Sequence, residues 1–295
     1  MEKKNKIDAF GAVALISFSL LLGINHVVIK IVNVGLNPIF FAGIRSFIAF
    51  LFIIIWMKFT RKPIVFNKKN TKICLIAGLV FALEFLFLFL ALDFTSVSRN
   101  SIIYYSMPLW LTILLFFTKN KEKLSFIKLL GLILAFSGVV ISVSKNDTGI
   151  IIINSSSLFG DFLAFLAALF WALLIIIAKN SNFNKEMPEM QLLWMVMVSG
   201  PILICFSFFI EDPIRDFQII HIWGLLFQSI VVVAGGFLFW LWLLSKYPAS
   251  GVASFSFLKP IFTIFFGWLI LSEVMTPDFI FAAFLVITGL ILINK

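Results

Sequence analysis

Residues 10–30 read FGAVALISFSLLLGINHVVIK, and residues 159–179 read FGDFLAFLAALFWALLIIIAK. Each stretch opens on Phe-Gly, runs about as far as a helix must to cross a hydrocarbon layer, and ends on a lysine. The two align at a constant shift of 149, which pairs Gly11 with Gly160 and Lys30 with Lys179. The correspondence continues along the chain. Ser98 and Pro108 fall on Ser250 and Pro260 at a shift of 152, and Glu122 and Gly138 on Glu273 and Gly289 at 151. Two weakly similar halves, roughly 10–144 and 158–293, therefore follow one another, and the chain divides at 1–149 and 150–295. Each half carries five long apolar stretches. An odd number of spans per repeat turns the second half upside down relative to the first, which is the construction of secondary transporters. The expected fold is an all-α membrane protein of ten transmembrane helices in two inverted five-helix repeats, built to move a small solute.

Composition places the chain in a bilayer. Apolar residues make up 62% of the sequence, mean hydropathy is +1.12, and only 13% of residues are charged, against about 25% in ordinary soluble domains. Ten spans are read at roughly 10–31, 38–57, 73–92, 98–117, 126–144, 158–178, 190–210, 222–244, 251–271 and 278–293. The stretches are continuously apolar, whereas barrel strands alternate over about ten residues, so helices are expected. No stretch remains for a soluble domain.

The net charge of +9 could suggest a nucleic-acid partner, but the basic residues follow the span map. With the N-terminus inside, the inner segments hold Lys3, Lys4 and Lys6, the run from Lys58 to Lys72, the run from Lys119 to Lys128, and Lys179, Lys185, Lys246 and Lys295. The outer segments hold only Lys30, Arg99, Lys145 and Arg215, while Arg45 and Lys259 lie within spans. The positive-inside rule then puts both termini in the cytoplasm of a multi-pass protein of the cytoplasmic membrane. No nucleic-acid partner is implied.

The first apolar run is too long for a secretory signal, no small-residue cleavage site follows it, and its Lys30 matches Lys179, so it should be retained. Cys74 and Cys205 lie toward opposite ends of their spans and read as apolar packing rather than a disulfide. The loops are short, and the acidic one, Glu211 to Asp216, falls outside. No G-x-x-x-x-G-K-[ST] motif occurs, so no ATPase subunit is implied and a gradient is the expected energy source.

The string Gly160, Asp161, Phe162, Leu163, Ala164, Phe165, Leu166, Ala167, Ala168, Leu169, Phe170, Trp171, Ala172 resembles the opening of the second half in EamA-type members of the drug/metabolite transporter superfamily. Lys259, Pro260, Ile261 and Phe262, leading to Gly267, Trp268, Leu271, Ser272 and Glu273, resemble a second signature, and Arg45 after Pro38 a third. The resemblance covers nearly the whole chain and includes bacterial amino-acid and metabolite exporters. It implies ten helices in two inverted repeats, with a central cavity formed mainly by spans 1, 3, 4, 6, 8 and 9, and alternating access. Family substrates include amino acids, nucleosides or bases, polyamines and drugs. The position before Pro260 is often neutral or acidic in relatives, and here it is Lys259.

Lys259 lies near mid-bilayer, where a lysine costs on the order of 3 kcal/mol on insertion scales and should face a cavity or a partner. It reads either as an ion-pair partner of Glu84 or as the counter-charge of a substrate carboxylate or phosphate. Glu84 reads either as a structural partner of Arg45 or Lys259 or as a proton-carrying carboxylate that couples transport to a proton gradient. Arg45 reads as mainly architectural, and Asp161 and Glu273 as helix-end caps or interfacially solvated groups near the outer surface. Asn25 and His26, side by side in an apolar helix, read either as hydrogen-bonded structure or as pathway lining. No second histidine stands at a metal-ligand spacing, and His221 is isolated, so neither metal nor cofactor is expected.

Most aromatic residues read as lipid-facing bulk or interfacial belt. Tyr104, Tyr105, Trp110, Trp171 and Trp194 share spans with polar groups or fall at family cavity positions and read as pathway candidates. Pro108 and Pro260, matched by the repeat, are the hinge candidates. The preferred cargo is an amino acid or related carboxylated metabolite, and the preferred direction is export. Two other classes are a polytopic membrane enzyme and a non-transporting scaffold. The first should show H-x-x-x-x-D, H-E-x-x-H or another clustered nucleophile and base, and the second a soluble domain or long tail, and neither is present.

Overall fold

The computed structural model describes residues 4, 6–94, 100, 103–117, 125–144, 155–210, 212–271 and 278–294. They are mostly helical, with one isolated antiparallel bridge between Leu36 and Ile214. The repeat-matched Ser98, Glu122 and Glu273, together with Arg99, Lys145 and the run from Lys119 to Lys123, lie outside the described residues.

The helices are α1 Ala9–Gly35, α2 Pro38–Phe59, α3 Thr71–Phe94, α4 Met107–Phe116, α5 Phe126–Ser144, α6 Ser155–Asn180 and α7 Pro188–Ser207. A composite span follows, made of α8 Ile219–Leu226, a π-helix Phe227–Phe237 and α9 Leu238–Lys246. A second composite joins α10 Ala249–Ser254, the 3₁₀ turn Phe255–Phe257 and α11 Leu258–Leu271, and α12 is Asp278–Asn294. Among the described residues, seven stretches are long and apolar enough to cross a bilayer: Ala9–Gly35, Pro38–Phe59, Thr71–Ala91, Leu158–Lys179, Pro188–Ser207, Ile219–Lys246 and Ala249–Ile270. Phe126–Gly138 and Ala283–Ile293 are shorter apolar helices.

Local chemistry sets several boundaries. Asp8 Oδ1 accepts from Gly11 N at 2.9 Å and starts α1. The Asp8 carboxyl is held below the ordinary carboxylate range, first by its bond from the Lys4 ammonium, then by the Tyr247 hydroxyl and the Gly11 N–H. Asn37 Oδ1 accepts from Ile39 N and Phe40 N and starts α2, with Pro38 in the first position, where a missing N–H costs nothing.

Contacts between connecting segments sort them onto two faces. On one face, Lys62 pairs with Glu189 and Asn70 Nδ2 donates to Glu186 Oε1 at 2.6 Å. Lys179, a few residues before Glu186 in the chain, donates to the carbonyls of Leu244 and Tyr247, and Lys4 N donates to Lys246 O. At the other end of α1, Asn37 N donates to Pro213 O and Arg215 N to Gly35 O, both at 3.0 Å. Large apolar side chains cover the outside, Phe59, Phe209, Trp223 and Ile280 among them. That surface suits a hydrocarbon solvent and would be a liability in water.

Helices approach most closely where side chains are absent. A Cβ on Gly131 of α5 would lie 2.7 Å from the Gly289 carbonyl oxygen of α12, and one on Gly289 would lie 2.5 Å from the Gly131 oxygen. Backbone-to-backbone contact of this kind is how membrane helices gain packing without a hydrophobic driving force. Gly131→Leu should force the pair apart at an overpacking cost of about 1–3 kcal/mol. The expected result is a lower melting temperature in detergent, with Gly131→Ala intermediate. An unchanged melt for Gly131→Leu would show that α5 and α12 do not cross here.

Candidate functional site

Polar side chains from several spans, Asn25, His26, Arg45, Glu84, Tyr104, Tyr105 and Lys259, line one cavity. Helix α1 brings Phe18, Leu22, Asn25, His26 and Ile29, which recur at three- and four-residue intervals and so share a face. Helix α3 brings Phe81, Glu84, Phe85, Leu88 and Phe89 by the same periodicity. Arg45 enters from α2, Trp171 and Leu174 from α6, and Leu192 and Met195 from α7. Phe237, Trp240 and Leu241 close one wall from the π-helix and α9.

Two interrupted helices deliver the remaining groups. The chain turns at Tyr105 and Ser106 before α4 starts at Met107, and it tightens into a 3₁₀ turn at Phe255–Phe257 before α11 starts at Leu258. Tyr104 and Tyr105 thus face the cavity from one break and Lys259 from the other. Pro108 and Pro260 each sit in the first turn of the helix that follows the break. Proline is tolerated there because the N–H it lacks would have had no intrahelical acceptor. The interruption lies on the N-terminal side of each proline, at positions the repeat relates.

The charged groups stand apart from one another. Lys259 is 2% exposed, and its Nζ lies 4.1 Å from the centre of the Trp171 ring, 5.5 Å from Phe18 and 5.7 Å from Tyr105. Among the described residues, no carboxylate oxygen lies within 4.0 Å of it. Glu84, 3% exposed, accepts from Tyr104 Oη on Oε1 at 2.8 Å, while its buried Oε2 meets no donor among the described residues. The ion pair that the sequence suggests between Glu84 and Lys259 or Arg45 is therefore not formed in this conformation. The hydroxyl of Tyr104 takes that place at Glu84, and the aromatic faces of Trp171, Phe18 and Tyr105 take it at Lys259, an arrangement favourable for a cation. Tyr104 is itself stacked on Trp171 at 4.9 Å, which links the two groups through one ring.

His26 and Asn25 are both tied into the protein. His26 Nδ1 donates to Leu22 O at 2.8 Å, so its Nε2 is left to accept from Tyr105 Oη, also at 2.8 Å. Both ring nitrogens are used. Asn25 Oδ1 accepts from Gln228 Nε2, and Gln228 Oε1 accepts from Arg45 Nη1 at 2.9 Å. The guanidinium also lies over Phe85, 4.2 Å from the ring centre.

Seven of the nine candidate lining residues thus meet in the cavity: Asn25, His26, Glu84, Tyr104, Tyr105, Trp171 and Lys259. Trp110 and Trp194 do not line it. Trp110 Nε1 donates to Ser106 Oγ at 2.8 Å with its ring edge-on to Phe165, and Trp194 packs edge-on against Phe66. The neighbouring face of α7 presents Leu192 and Met195 instead. Asp161 lies nearly two turns inside α6. Cys74 is buried and Cys205 exposed, and both are free.

Sequence reasoning took Arg45 as mainly architectural and did not single out Phe237 and Trp240, which line the cavity with it, or Gln228, which accepts from it. An amide within the apolar run from Leu225 to Val233 was the available signal for Gln228, because such residues face the protein interior. Nothing in the sequence announces the eleven-residue π-helix that carries it. That winding is rare and concentrates at functional sites.

The profile of the EamA-like transporter family matches residues 9–144 and again 158–295. The Bacillus subtilis (strain 168) protein named "Uncharacterized transporter YoaV" is 29% identical over 280 residues, covering 94% of each chain. An Escherichia coli (strain K12) protein named "Probable amino-acid metabolite efflux pump" is 27% identical over 282 residues, covering 91% of this chain and 89% of its own. A crystal structure of a protein 14% identical in sequence superposes on 94% of both chains with a TM-score of 0.81, so the fold is shared. Together with its apolar helices these matches make the protein a multi-pass protein of the cytoplasmic membrane. The chain belongs to the EamA-like transporter family.

Proposed function

We propose that the protein is a secondary transporter that exports an amino acid or related carboxylated metabolite by alternating access, with protons as the coupling ion. The observation that carries this reading is the charge of the cavity. Two buried cations, Arg45 and Lys259, stand there with one carboxylate, Glu84, and no ion pair joins them. In a poorly screened interior, uncompensated positive charge is relieved by an anionic cargo and aggravated by a polyamine. The aromatic and aliphatic walls suit an apolar body attached to that anionic head. The name of the E. coli relative supports the same class of cargo.

The architecture of this reading is ten spans in two inverted repeats, 1–149 and 150–295, with both termini cytoplasmic. The paired breaks before Pro108 and Pro260, and the packing of the last helix of one half, α5, on the last helix of the other, α12, support the repeat. The sorting of basic segments onto one face supports the orientation. Single cysteines at Lys69 and Lys185 should react with impermeant maleimide only from the cytoplasm, and one at Asp212 only from outside. Labelling of all three from one compartment would sink the inverted arrangement.

The cargo is tested by a thermal-shift screen of purified protein against amino acids, nucleobases, polyamines and phosphorylated metabolites. A ligand that binds the folded state alone stabilises it by about 2.7 kcal/mol at a hundredfold excess over Kd. Stabilisation by carboxylated compounds is expected. Stabilisation by polyamines alone would overturn the proposal.

A further inference from the structure

The guanidinium of Arg45 is arranged more fully than an architectural cation requires. Its Nη1 donates to Gln228 Oε1 at 2.9 Å, and Gln228 Nε2 donates to Asn25 Oδ1, so α2, the π-helix and α1 meet in one chain of bonds. The three residues are 1%, 0% and 5% exposed. One face of the guanidinium rests on Phe85 at 4.2 Å, and Phe89 stands 5.4 Å away. The plane is therefore fixed both by a bond and by a ring.

With Nη1 committed to Gln228, the other edge of the guanidinium carries an Nε–H and an Nη2–H that point the same way by covalent geometry. Neither Nε nor Nη2 meets an acceptor among the described residues. Leaving two charged donors buried without acceptors is expensive, and the cost is relieved by a planar group with two acceptor oxygens. A lysine offers no such edge, because its ammonium is a point charge on a flexible stem. Lys259, held by ring faces, supplies charge without direction.

We propose that Arg45 is the specificity-determining residue of the cavity, taking both oxygens of the cargo carboxylate on Nε and Nη2, and that Gln228 is the positioning residue that turns this edge toward the cargo. The proposal rests on reading the cavity as the site of a carboxylated cargo. Arg45 then reads the planar pair of carboxylate oxygens, while Lys259 attracts an anionic head of either kind, carboxylate or phosphate.

The test measures binding of the twenty common L-amino acids and their α-carboxamides to the purified full-length chain and to Arg45→Lys and Gln228→Met. The wild-type chain should bind its preferred acid at least tenfold tighter than the matching amide. Arg45→Lys, which keeps the charge, should lower that ratio about tenfold by weakening the acid alone, leaving the part that the charge of Lys259 supplies, and Gln228→Met should reduce it severalfold. An acid-to-amide ratio unchanged in a folded Arg45→Lys protein overturns the assignment of Arg45 and leaves the carboxylate cargo standing. A wild-type chain that prefers no acid to its amide overturns both. Should Arg45→Lys fail to fold, Gln228→Met decides, since it leaves Arg45 in place: a reduced ratio supports the proposal and an unchanged one overturns it.

Discussion

Glu84→Gln should abolish gradient-driven accumulation of cargo in proteoliposomes while leaving cargo-for-cargo exchange across the membrane intact. Glu84 Oε1 is already engaged by Tyr104, and a glutamine carbonyl can accept the same bond, so the local packing survives the change. The altered oxygen is Oε2, which is buried and meets no donor among the described residues. In the proposed proton-coupled cycle that position takes up a proton in one conformation and releases it in another as the distances to Lys259 and Arg45 change. A carboxamide cannot follow this cycle. The substituted carrier would still reorient with cargo bound, which is all that exchange demands, but a proton gradient would no longer drive it. Accumulation that persists with its pH dependence unchanged would leave Glu84 a structural hydrogen-bond acceptor for Tyr104.

The membrane class and the family were legible because they rest on signals that local environment does not disturb. Residues 10–30 and 159–179 are apolar over a whole span, and no soluble packing arrangement would accommodate that many such stretches. The convergence of Asn25, His26, Glu84 and Lys259 was also legible, because a polar side chain in hydrocarbon must turn inward wherever its helix lies. The partners of those groups were not legible. Whether Lys259 meets Glu84 or the Trp171 ring depends on offsets of a few ångströms between α3, α6 and α11, which spacing along the chain does not encode. Trp194 and Met195 show the same limit: adjacent residues on α7 point about 100° apart, and only tertiary packing decides which one reaches the cavity. Arg45 combined both difficulties. Its Nη1 is held by Gln228, and Gln228 is carried on a π-helical winding that no propensity pattern foretells.

Lys259→Met should weaken binding of carboxylated or phosphorylated cargo by roughly thirtyfold, about 2 kcal/mol, while changing the binding of neutral compounds little. Methionine keeps much of the length and apolar stem of lysine and removes the charge, and the surrounding faces of Phe18, Tyr105 and Trp171 accept a thioether readily. The measured loss would thus report the ammonium rather than a hole in the packing. Glu84 complicates the single substitution, since removing a cation from its surroundings changes the charge state it prefers. Glu84→Gln in combination with Lys259→Met removes that complication by fixing the neighbouring group as neutral in both members of the comparison. If the double variant folds and binds an anionic cargo as tightly as Glu84→Gln alone, Lys259 serves only to brace the aromatic faces around it. In that case Arg45 would be the one remaining cation of the described cavity, and the whole preference for a carboxylated cargo would rest on its unpartnered edge.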